Sequence, residues 1–225
     1  MDLDTVIIFG AGSYIAKQIV KKIKYNRLIC ISSSLKKNNR NKKIKIFDNF
    51  LKNKEKIRVL AKNTKITALF LNNYTVDNLI LKKTKEELKL ELDENILNVF
   101  ENSKELCKIM IENNFGRLIF FSSSRGLASD VGISGYSISK NGLQGLMRSF
   151  SKEFNRYNIT SNCLSLGFFN SPLFSKIKPD LKKKILSRCD IKLTGDIDSI
   201  KNSIYFISNS KYLTGTTLYL DGGYN

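Results

Sequence analysis

The chain has 225 residues, of which 42% are apolar and 26% charged, with 38 Lys and Arg against 20 Asp and Glu, a formal net charge of +18. A chain of this length can bury one sizeable core, so a single domain over residues 1–225 is expected. Because the sequence holds no histidine, serine triads with a histidine base, histidine-ligated zinc and histidine acid–base chemistry are excluded.

Short apolar runs alternate with longer segments of helical period. The runs predict strands at Thr5–Phe9, Arg27–Ile31, Lys43–Phe47, Ile66–Leu71, Arg117–Phe121, Thr160–Leu164 and Thr217–Leu220. The periodic segments predict helices at Ser13–Lys24, Leu51–Asn63, Lys85–Asn113, Tyr136–Tyr157, Pro179–Cys189 and Asp196–Ile207. This alternation is typical of an α/β class, doubly wound, Rossmann-like domain, with a parallel sheet of about seven strands and helices on both faces. A ligand crevice is expected beyond the carboxyl ends of the strands.

The first strand is followed by the segment Gly10-Ala11-Gly12-Ser13-Tyr14-Ile15-Ala16, which opens a helix. Glycines at such a turn let the backbone approach a pyrophosphate, which the helix N-terminus then stabilises through its free N–H groups. The alternative is an ordinary turn between a strand and a helix. The segment predicts that a dinucleotide contacts Gly10, Gly12, Ser13, Tyr14 and Ile15.

The second strand is followed by Ser32-Ser33-Ser34-Leu35-Lys36-Lys37 and then Arg40, with no acidic residue. A carboxylate here would bind the adenosine ribose hydroxyls and repel a 2′-phosphate, whereas hydroxyls and cations attract one. The segment therefore favours NADP(H) over NAD(H), with Ser33, Ser34 and Lys36 as contacts. The alternative is a solvated, lysine-rich loop.

A tyrosine and a lysine stand four residues apart in Tyr136-Ser137-Ile138-Ser139-Lys140, at the start of a predicted helix, so both lie on one helix face. An ammonium beside a phenol favours the phenolate, so we expect Lys140 to lower the pKa of Tyr136. The preceding strand ends in Ser122-Ser123-Ser124, which brings hydroxyls to the same edge of the sheet.

With these motifs the sequence resembles the short-chain dehydrogenase/reductase family in its one-domain form, from Thr5 to Gly223. The family's Tyr-x-x-x-Lys motif matches Tyr136 and Lys140, its serine 13 residues earlier matches Ser123, and its helical asparagine matches Asn95. The resemblance implies hydride transfer between nicotinamide and a carbonyl or alcohol carbon. Tyr136 would exchange the proton, Ser123 would polarise the carbonyl, Lys140 would hold the nicotinamide ribose, and Asn95 would position a water that relays protons to Lys140.

Further family landmarks occur in order along the chain. Asp48 resembles the acid that contacts adenine, and Asn72-Asn73 the start of an Asn-Asn-Ala-Gly motif. The segment 162–171 resembles the stretch beside the nicotinamide, which implies contacts from Gly167, Phe169 and Ser171. The C-terminal segments 213–215 and 220–223 match the family signature. The departures from the family pattern fall in the cofactor motifs, at Tyr14, Ala16, Tyr74, Thr75 and Leu166.

Substrate specificity in this family lies in a flap, here about residues 168–194. Its apolar side chains would admit an acyl chain or hydrophobic ketone, namely Phe168, Phe169, Leu173, Phe174 and Ile177. The overall pattern is most like that of 3-oxoacyl-[acyl-carrier-protein] reductases, so the substrate is expected to be a small-molecule carbonyl or alcohol, carrier-bound in that case. A reductase of a sugar or nucleotide-linked sugar, and a non-catalytic structural or sensor member, remain alternatives.

The resemblance also implies a homodimer or homotetramer that pairs the two long helices 85–113 and 136–157. Apolar side chains on these helices would make that contact or would instead face the sheet: Leu97, Phe100, Leu143, Leu146, Met147 and Phe150.

The four cysteines, Cys30, Cys107, Cys163 and Cys189, are too far apart in sequence for a metal or redox motif, so each is predicted to be a buried apolar residue, and no metal site is expected.

The N-terminus lacks the basic residues of a signal peptide and its apolar run is too short to span a membrane, which predicts a cytoplasmic protein. Most of the positive charge, +15 of +18, falls between Lys17 and Lys65. Neither a groove-reading element nor interleaved aromatics accompany it, so no nucleic-acid partner is expected.

Overall fold

Seven strands form one parallel sheet in the computed structural model, which describes residues 2–35 and 41–224, without the side chain of Leu173. The strands are β1 Leu3–Phe9, β2 Tyr25–Ile31, β3 Ile44–Phe47, β4 Ile66–Phe70, β5 Gly116–Ser123, β6 Ile159–Leu166 and β7 Thr217–Leu220. Their order across the sheet is β3-β2-β1-β4-β5-β6-β7, and every adjacent pair is parallel. The predicted α/β, doubly wound fold is confirmed.

Helices cover both faces of the sheet. They are α1 Tyr14–Lys22, α2 Phe50–Leu60, α3 Lys85–Leu92, α4 Asn98–Glu112, α5 Ser124–Ala128, α6 Ser134–Phe154, α7 Pro172–Ser175, α8 Pro179–Leu186 and α9 Ile197–Asn209. A π-helical turn, Asp93–Leu97, joins α3 to α4, and a 3-10 turn, Asn155–Tyr157, follows α6. The predicted single helix over 85–113 is therefore interrupted by a π turn, and the sequence pattern missed the short helices α5 and α7.

Burial on both faces explains why the strands are apolar at successive residues. Phe9, Phe70 and Phe120 pair in register across β1, β4 and β5, and their rings stack at centroid separations of 4.4 and 4.9 Å. This stack belongs to the core under α2, α4 and α6, whereas Ile8 and Leu69 face the core under α1 and α9. Each strand except the edge strand β7 thus contributes side chains to both cores, as in parallel sheets generally.

The strand order reverses between β1 and β4, and ligands bind in open parallel sheets at such a switch point, outside the carboxyl ends of the strands. The chain leaves these two strands at Gly10 and Leu71, and the neighbouring β5 at Ser123. The fold therefore brings the glycine-rich turn, the Asn72-Asn73 pair and the serine segment to one edge.

All four cysteines are buried and free, which confirms their prediction as small apolar residues. Burial raises the pKa of Cys30 to about 11 and that of Cys163 to about 12. Within residues 2–35 and 41–224, no helix combines the length and the hydropathy that a membrane span needs.

Candidate active site

Ser123, Tyr136 and Lys140 meet at the carboxyl end of β5. Ser123 is the N-cap of α5, where its hydroxyl accepts a hydrogen bond from Gly126 N at 3.4 Å, and it lies close enough to the Tyr136 hydroxyl to lower the pKa of that phenol. Lys140 follows one helical turn later, with its Nζ 5.5 Å from the Tyr136 ring centroid. A Cβ on Gly126 would lie 2.9 Å from both Tyr136 and Lys140, so α5 can pack against α6 only with glycine there.

Burial controls the ionisation of this group. It raises the pKa of Tyr136, against the opposing effects of the Ser123 hydrogen bond and the positive charge of Arg125. The expectation that Lys140 lowers the pKa of Tyr136 is therefore wrong for this structure. The Lys140 ammonium instead donates to the backbone carbonyls of Asn72 and Phe121, at 3.2 and 3.1 Å, and burial lowers its own pKa to about 8.

The lowered pKa of Lys140 gives a prediction for stability. An ordinary lysine pKa is near 10.4, so between about pH 8 and 10.5 the unfolded chain binds a proton that the folded chain has released. The free energy of unfolding of the wild type should therefore rise with pH in this window, by roughly 3 kcal/mol relative to a Lys140→Met variant. Urea denaturation of both proteins from pH 7 to 10.5 measures this difference, and parallel pH profiles would contradict it.

Asn95 is fully buried in the π turn, apart from Ser123, Tyr136 and Lys140. Its amide oxygen accepts from Tyr74 N at 2.8 Å and its amide nitrogen donates to Tyr74 O at 2.6 Å. Both polar groups of the side chain are thus bonded to the loop after β4. We conclude that the Asn95 side chain positions this loop, and its contact with a relay water stays a prediction.

A cavity of about 900 Å³ opens at this edge of the sheet, and it is lined by Ser123, Tyr136 and Lys140. Eight of the residues predicted to contact the cofactor also line it, namely Ser13, Tyr14, Ile15, Asn72, Asn73, Gly167, Phe169 and Ser171. The flap contributes most of the apolar lining, including Phe168, Phe174 and Ile177, as expected. Gly10, Gly12, Ser33, Ser34 and Asp48 lie outside this lining, and Lys36 lies outside the described residues.

The glycine-rich turn is shaped by close backbone contacts. Gly10 has φ +70°, and a Cβ there would come within 2.7 Å of Leu71 O, so this position requires glycine. Gly12 packs instead against the serines after β2, since a Cβ would overlap Ser34 Oγ and lie 2.8 Å from Ser32 Oγ. Ser13 caps α1 by accepting from Ala16 N at 3.2 Å.

The residues expected at the adenosine end lie at the carboxyl ends of β2 and β3. Ser33 and Ser34 are exposed, and a hydrogen bond of 3.0 Å joins Ser34 Oγ to Ser32 Oγ. Asp48 is exposed and accepts from Asn49 N at 3.0 Å and from the Asn53 amide at 3.2 Å. The chain thus offers hydroxyl groups after β2 and a carboxylate after β3.

Asn72 and Gly167 form two parts of the cavity lining at this edge. Asn72 Oδ1 is buried without a hydrogen-bond partner in the described chain, although its residue lines the cavity, so it can accept a donor from a ligand. A Cβ on Gly167 would lie 2.5 Å from Asp221 Cα, so the glycine lets the β6 loop pack on the C-terminal segment. Ser124 completes this contact by hydrogen bonding to Asp221.

Sequence reasoning missed four charged or ion-paired residues in the cavity lining: Asp77, Arg125, Asp130 and Arg188. Arg125 stands two residues after Ser123, the last residue of β5. Because the sequence already predicts that Ser123 lies at the site, this short separation could have indicated Arg125 as well. Asp130 and Arg188 are 58 residues apart and carry no motif that relates them. Among the described residues, no group of three or more Cys, Asp or Glu side chains could hold a metal ion.

Comparisons with known proteins agree with this architecture. A family model described as Enoyl-(Acyl carrier protein) reductase matches residues 38–225. The 3-oxoacyl-[acyl-carrier-protein] reductase of Buchnera aphidicola is 30% identical, with 97% of this chain and 96% of the relative covered. The corresponding reductase of Rickettsia prowazekii is 28% identical, over 97% of this chain and 95% of its own.

Two solved structures share the fold. A short chain dehydrogenase from Leptospira borgpetersenii with bound NAD+ superposes with a TM-score of 0.85 at 18% identity, covering 99% of this chain and 93% of its own. A variant of ElxO with NADPH bound gives 0.83 at 20% identity, covering 100% and 99%. The family model matches most of the chain, and the relatives match over nearly their full length. The protein therefore belongs to the short-chain dehydrogenase/reductase family of oxidoreductases.

Proposed function

We propose that the protein is an NADP(H)-dependent reductase that interconverts a carbonyl group and a secondary alcohol, with Tyr136, Ser123 and Lys140 as its catalytic residues. The observation that carries the proposal is the meeting of these three side chains in the lining of one cavity, beside the residues expected to hold a dinucleotide.

The hydroxyl pair supplies the acid and the polarising group. The raised pKa of Tyr136 keeps its phenol protonated at neutral pH, which suits a proton donor to the oxygen of a carbonyl that is being reduced. Ser123, which lies beside that phenol, can donate to the same oxygen and stabilise the charge that develops on it. Oxidation of an alcohol needs the phenolate, so we expect it to be favoured only at alkaline pH.

Lys140 and Asn95 support the Tyr136–Ser123 pair in different ways. Lys140 is buried with a pKa near 8, so it can take up and return a proton near neutrality, and its ammonium lies where it can bind hydroxyls of a ribose. Asn95 fixes the backbone of Tyr74, and so it holds the Asn72-Asn73 turn against the cavity. We treat Asn95 as a positioning residue.

The described residues fit a dinucleotide. The Gly10 turn and the N-terminus of α1 offer backbone N–H groups to a pyrophosphate, and the buried Asn72 Oδ1 can accept from the ligand. When bound, the nicotinamide supplies the hydride. Ser33 and Ser34, with Lys36, are the groups we assign to a 2′-phosphate, and Asp48 is assigned to the adenine.

For the substrate we propose 3-oxoacyl thioesters first, because the relatives that match over the full chain are named as 3-oxoacyl-[acyl-carrier-protein] reductases and the flap lining is apolar. A keto sugar, free or nucleotide-linked, is the second candidate. It is the less favoured of the two because Phe168, Phe174 and Ile177 offer a sugar no hydrogen bonds.

We propose a homodimer or homotetramer, in the cytoplasm. Of the side chains considered for helix pairing, Leu143, Met147 and Phe150 are buried in the core of the chain and Leu146 packs partly against it. Leu97 and Phe100 remain 54% and 40% exposed on the π turn and α4. These two are the contacts we assign to a partner subunit.

Cofactor titration tests the proposal. NADPH should bind more tightly than NADH, and a Ser33→Asp variant should lose roughly tenfold in NADPH affinity, because its carboxylate repels the 2′-phosphate. Calorimetry on both proteins measures this, and Ser33→Ala serves as the matched control. If neither nucleotide binds at millimolar concentration, the protein is a non-catalytic member. With NADPH bound, optical assays of acetoacetyl thioesters, keto sugars and simple ketones then rank the substrates.

A further inference from the structure

Two guanidinium groups share one carboxylate in the lining of the cavity. Arg125 lies on α5, directly after the serine segment, and Arg188 follows α8 at the end of the flap. Asp130 Oδ2 accepts from Arg125 Nε at 3.3 Å and from Arg188 Nη1 at 3.2 Å. Side-chain exposure is 39% for each arginine and 32% for Asp130, so this cluster is only partly solvated.

The cluster has more donors than it uses. Each guanidinium has five N–H donors, and among the residues that the structure describes Asp130 Oδ2 is the acceptor for one donor of each arginine, with no other acceptor. Asp130 is held ionised, since the Val131 N–H and both arginines lower its pKa, and its Oδ1 accepts from Val131 N at 2.9 Å. One carboxylate therefore balances one of two adjacent positive charges.

The two arginines are held in place from the protein side. Arg188 stacks on the Tyr224 ring, 4.7 Å from its centroid, and that ring packs edge-on against Phe168 at 5.6 Å. Arg125 lies on α5, two residues after Ser123, and its guanidinium is held by the ion pair with Asp130. A planar, preorganised guanidinium of this kind is the group that proteins use to bind carboxylates and phosphates through paired hydrogen bonds.

Two other charged residues line the cavity. Asp77 makes no ion pair with either arginine, since each arginine's ion pair in the described chain is with Asp130. Lys140 directs its ammonium to the carbonyls of Asn72 and Phe121. Apart from these charged residues, much of the cavity lining is apolar, including Ile133 and the flap residues Phe168 and Phe174.

From this arrangement, and resting on the proposed function, we infer that the cavity selects carbonyl substrates that also carry an oxyanion, which Arg125 and Arg188 bind beside Asp130. The apolar lining takes the part of the substrate that separates its anion from its carbonyl. The anion is a carboxylate or a phosphate, and both match the guanidinium donors.

Matched substrate pairs test this inference. Levulinate and methyl levulinate differ by the charge of a carboxylate, and acetoacetyl pantetheine phosphate and acetoacetyl pantetheine differ by a phosphate. We expect kcat/KM to favour the charged member of at least one pair by roughly tenfold, and the pair that shows it identifies the anion. The preference should shrink toward unity in Arg188→Gln and grow in Asp130→Asn, which frees both guanidiniums.

A control variant separates local recognition from general charge. Lys183→Gln removes one exposed positive charge from α8, outside the cavity lining, and should leave the preference unchanged. Equal kcat/KM within both pairs, or a preference that Arg188→Gln does not alter, would overturn the inference while leaving the reductase intact. If no carbonyl is reduced, the proposed function fails instead, and calorimetry with pantetheine phosphate against pantetheine and with levulinate against methyl levulinate still decides the anion site: equal affinities within both pairs overturn it.

Discussion

A Tyr136→Phe variant should lose about 10²- to 10⁴-fold in kcat with NADPH and its best carbonyl substrate, because the phenol is the assigned proton donor. The aromatic ring stays, so its packing against Gly126 and its place above Lys140 are kept. The only group removed is the hydroxyl, which lies beside Ser123. Steady-state kinetics at pH 7, on a substrate found in the carbonyl panel, measures the loss.

The same variant should bind NADPH with nearly unchanged affinity, and calorimetry provides this control. A Ser123→Ala variant should also lose turnover, since the carbonyl oxygen would lack its second donor. Full turnover by Tyr136→Phe would show that another group delivers the proton, although membership of the family would stand. A loss of both turnover and cofactor binding would point to a local change of structure rather than to a missing acid.

A Glu91→Ala variant should lose about 3–5 kcal/mol in the free energy of unfolding, because it leaves the Lys83 ammonium buried without a counter-charge. The two side chains form an ion pair at 4% and 1% exposure. Both also bind the backbone of Val76: Glu91 Oε1 accepts from Val76 N at 2.8 Å, and Lys83 Nζ donates to Val76 O at 2.6 Å. The Glu91 carboxylate lies against Gly135, in the first turn of the helix that carries Tyr136.

Urea denaturation of three variants separates burial from charge. A double variant, Lys83→Met with Glu91→Leu, should be more stable than Glu91→Ala, because it leaves no buried charge unpaired. It should remain about 1–3 kcal/mol below the wild type, because Val76 N and O lose their partners. Glu112→Ala removes an exposed partner of Arg58 and should cost less than about 1 kcal/mol. A cost for Glu91→Ala as small as that for Glu112→Ala would show that water reaches the pair.

The proposed catalytic group and the buried pair differ in how directly the sequence predicts that their members lie together. Tyr136 and Lys140 are four residues apart on one helix, so local geometry alone places them together. Ser123 ends a neighbouring strand, and parallel strands bring their carboxyl ends to one edge, so its approach also follows from the pattern. Lys83 and Glu91 belong to a segment whose charges look like those of any solvated helix, and only the packing of α6 over them makes them a buried pair.

Asn95 shows that spacing along the chain can predict the place of a residue without predicting its contacts. Its position was found by its distance from Tyr136 along the chain, and it does lie on the long helical segment. Its π turn and its two hydrogen bonds to Tyr74 depend on how the loop after β4 returns to the helix, which no local period encodes. The sequence therefore predicts the place of Asn95 on this helical segment, while its contacts depend on the folded chain.

The sequence by itself predicted the α/β alternation, the place of the crevice and the proximity of Ser123, Tyr136 and Lys140, because each depends on short-range periodicity or on the order of strands. The tertiary structure alone decided the ionisation of Tyr136 and Lys140, since desolvation depends on every neighbour that packs around them. It also decided the grouping of Arg125, Asp130 and Arg188, whose members come from two distant segments. The net charge of +18 does not reveal these two arginines, because only folding places them on a single carboxylate.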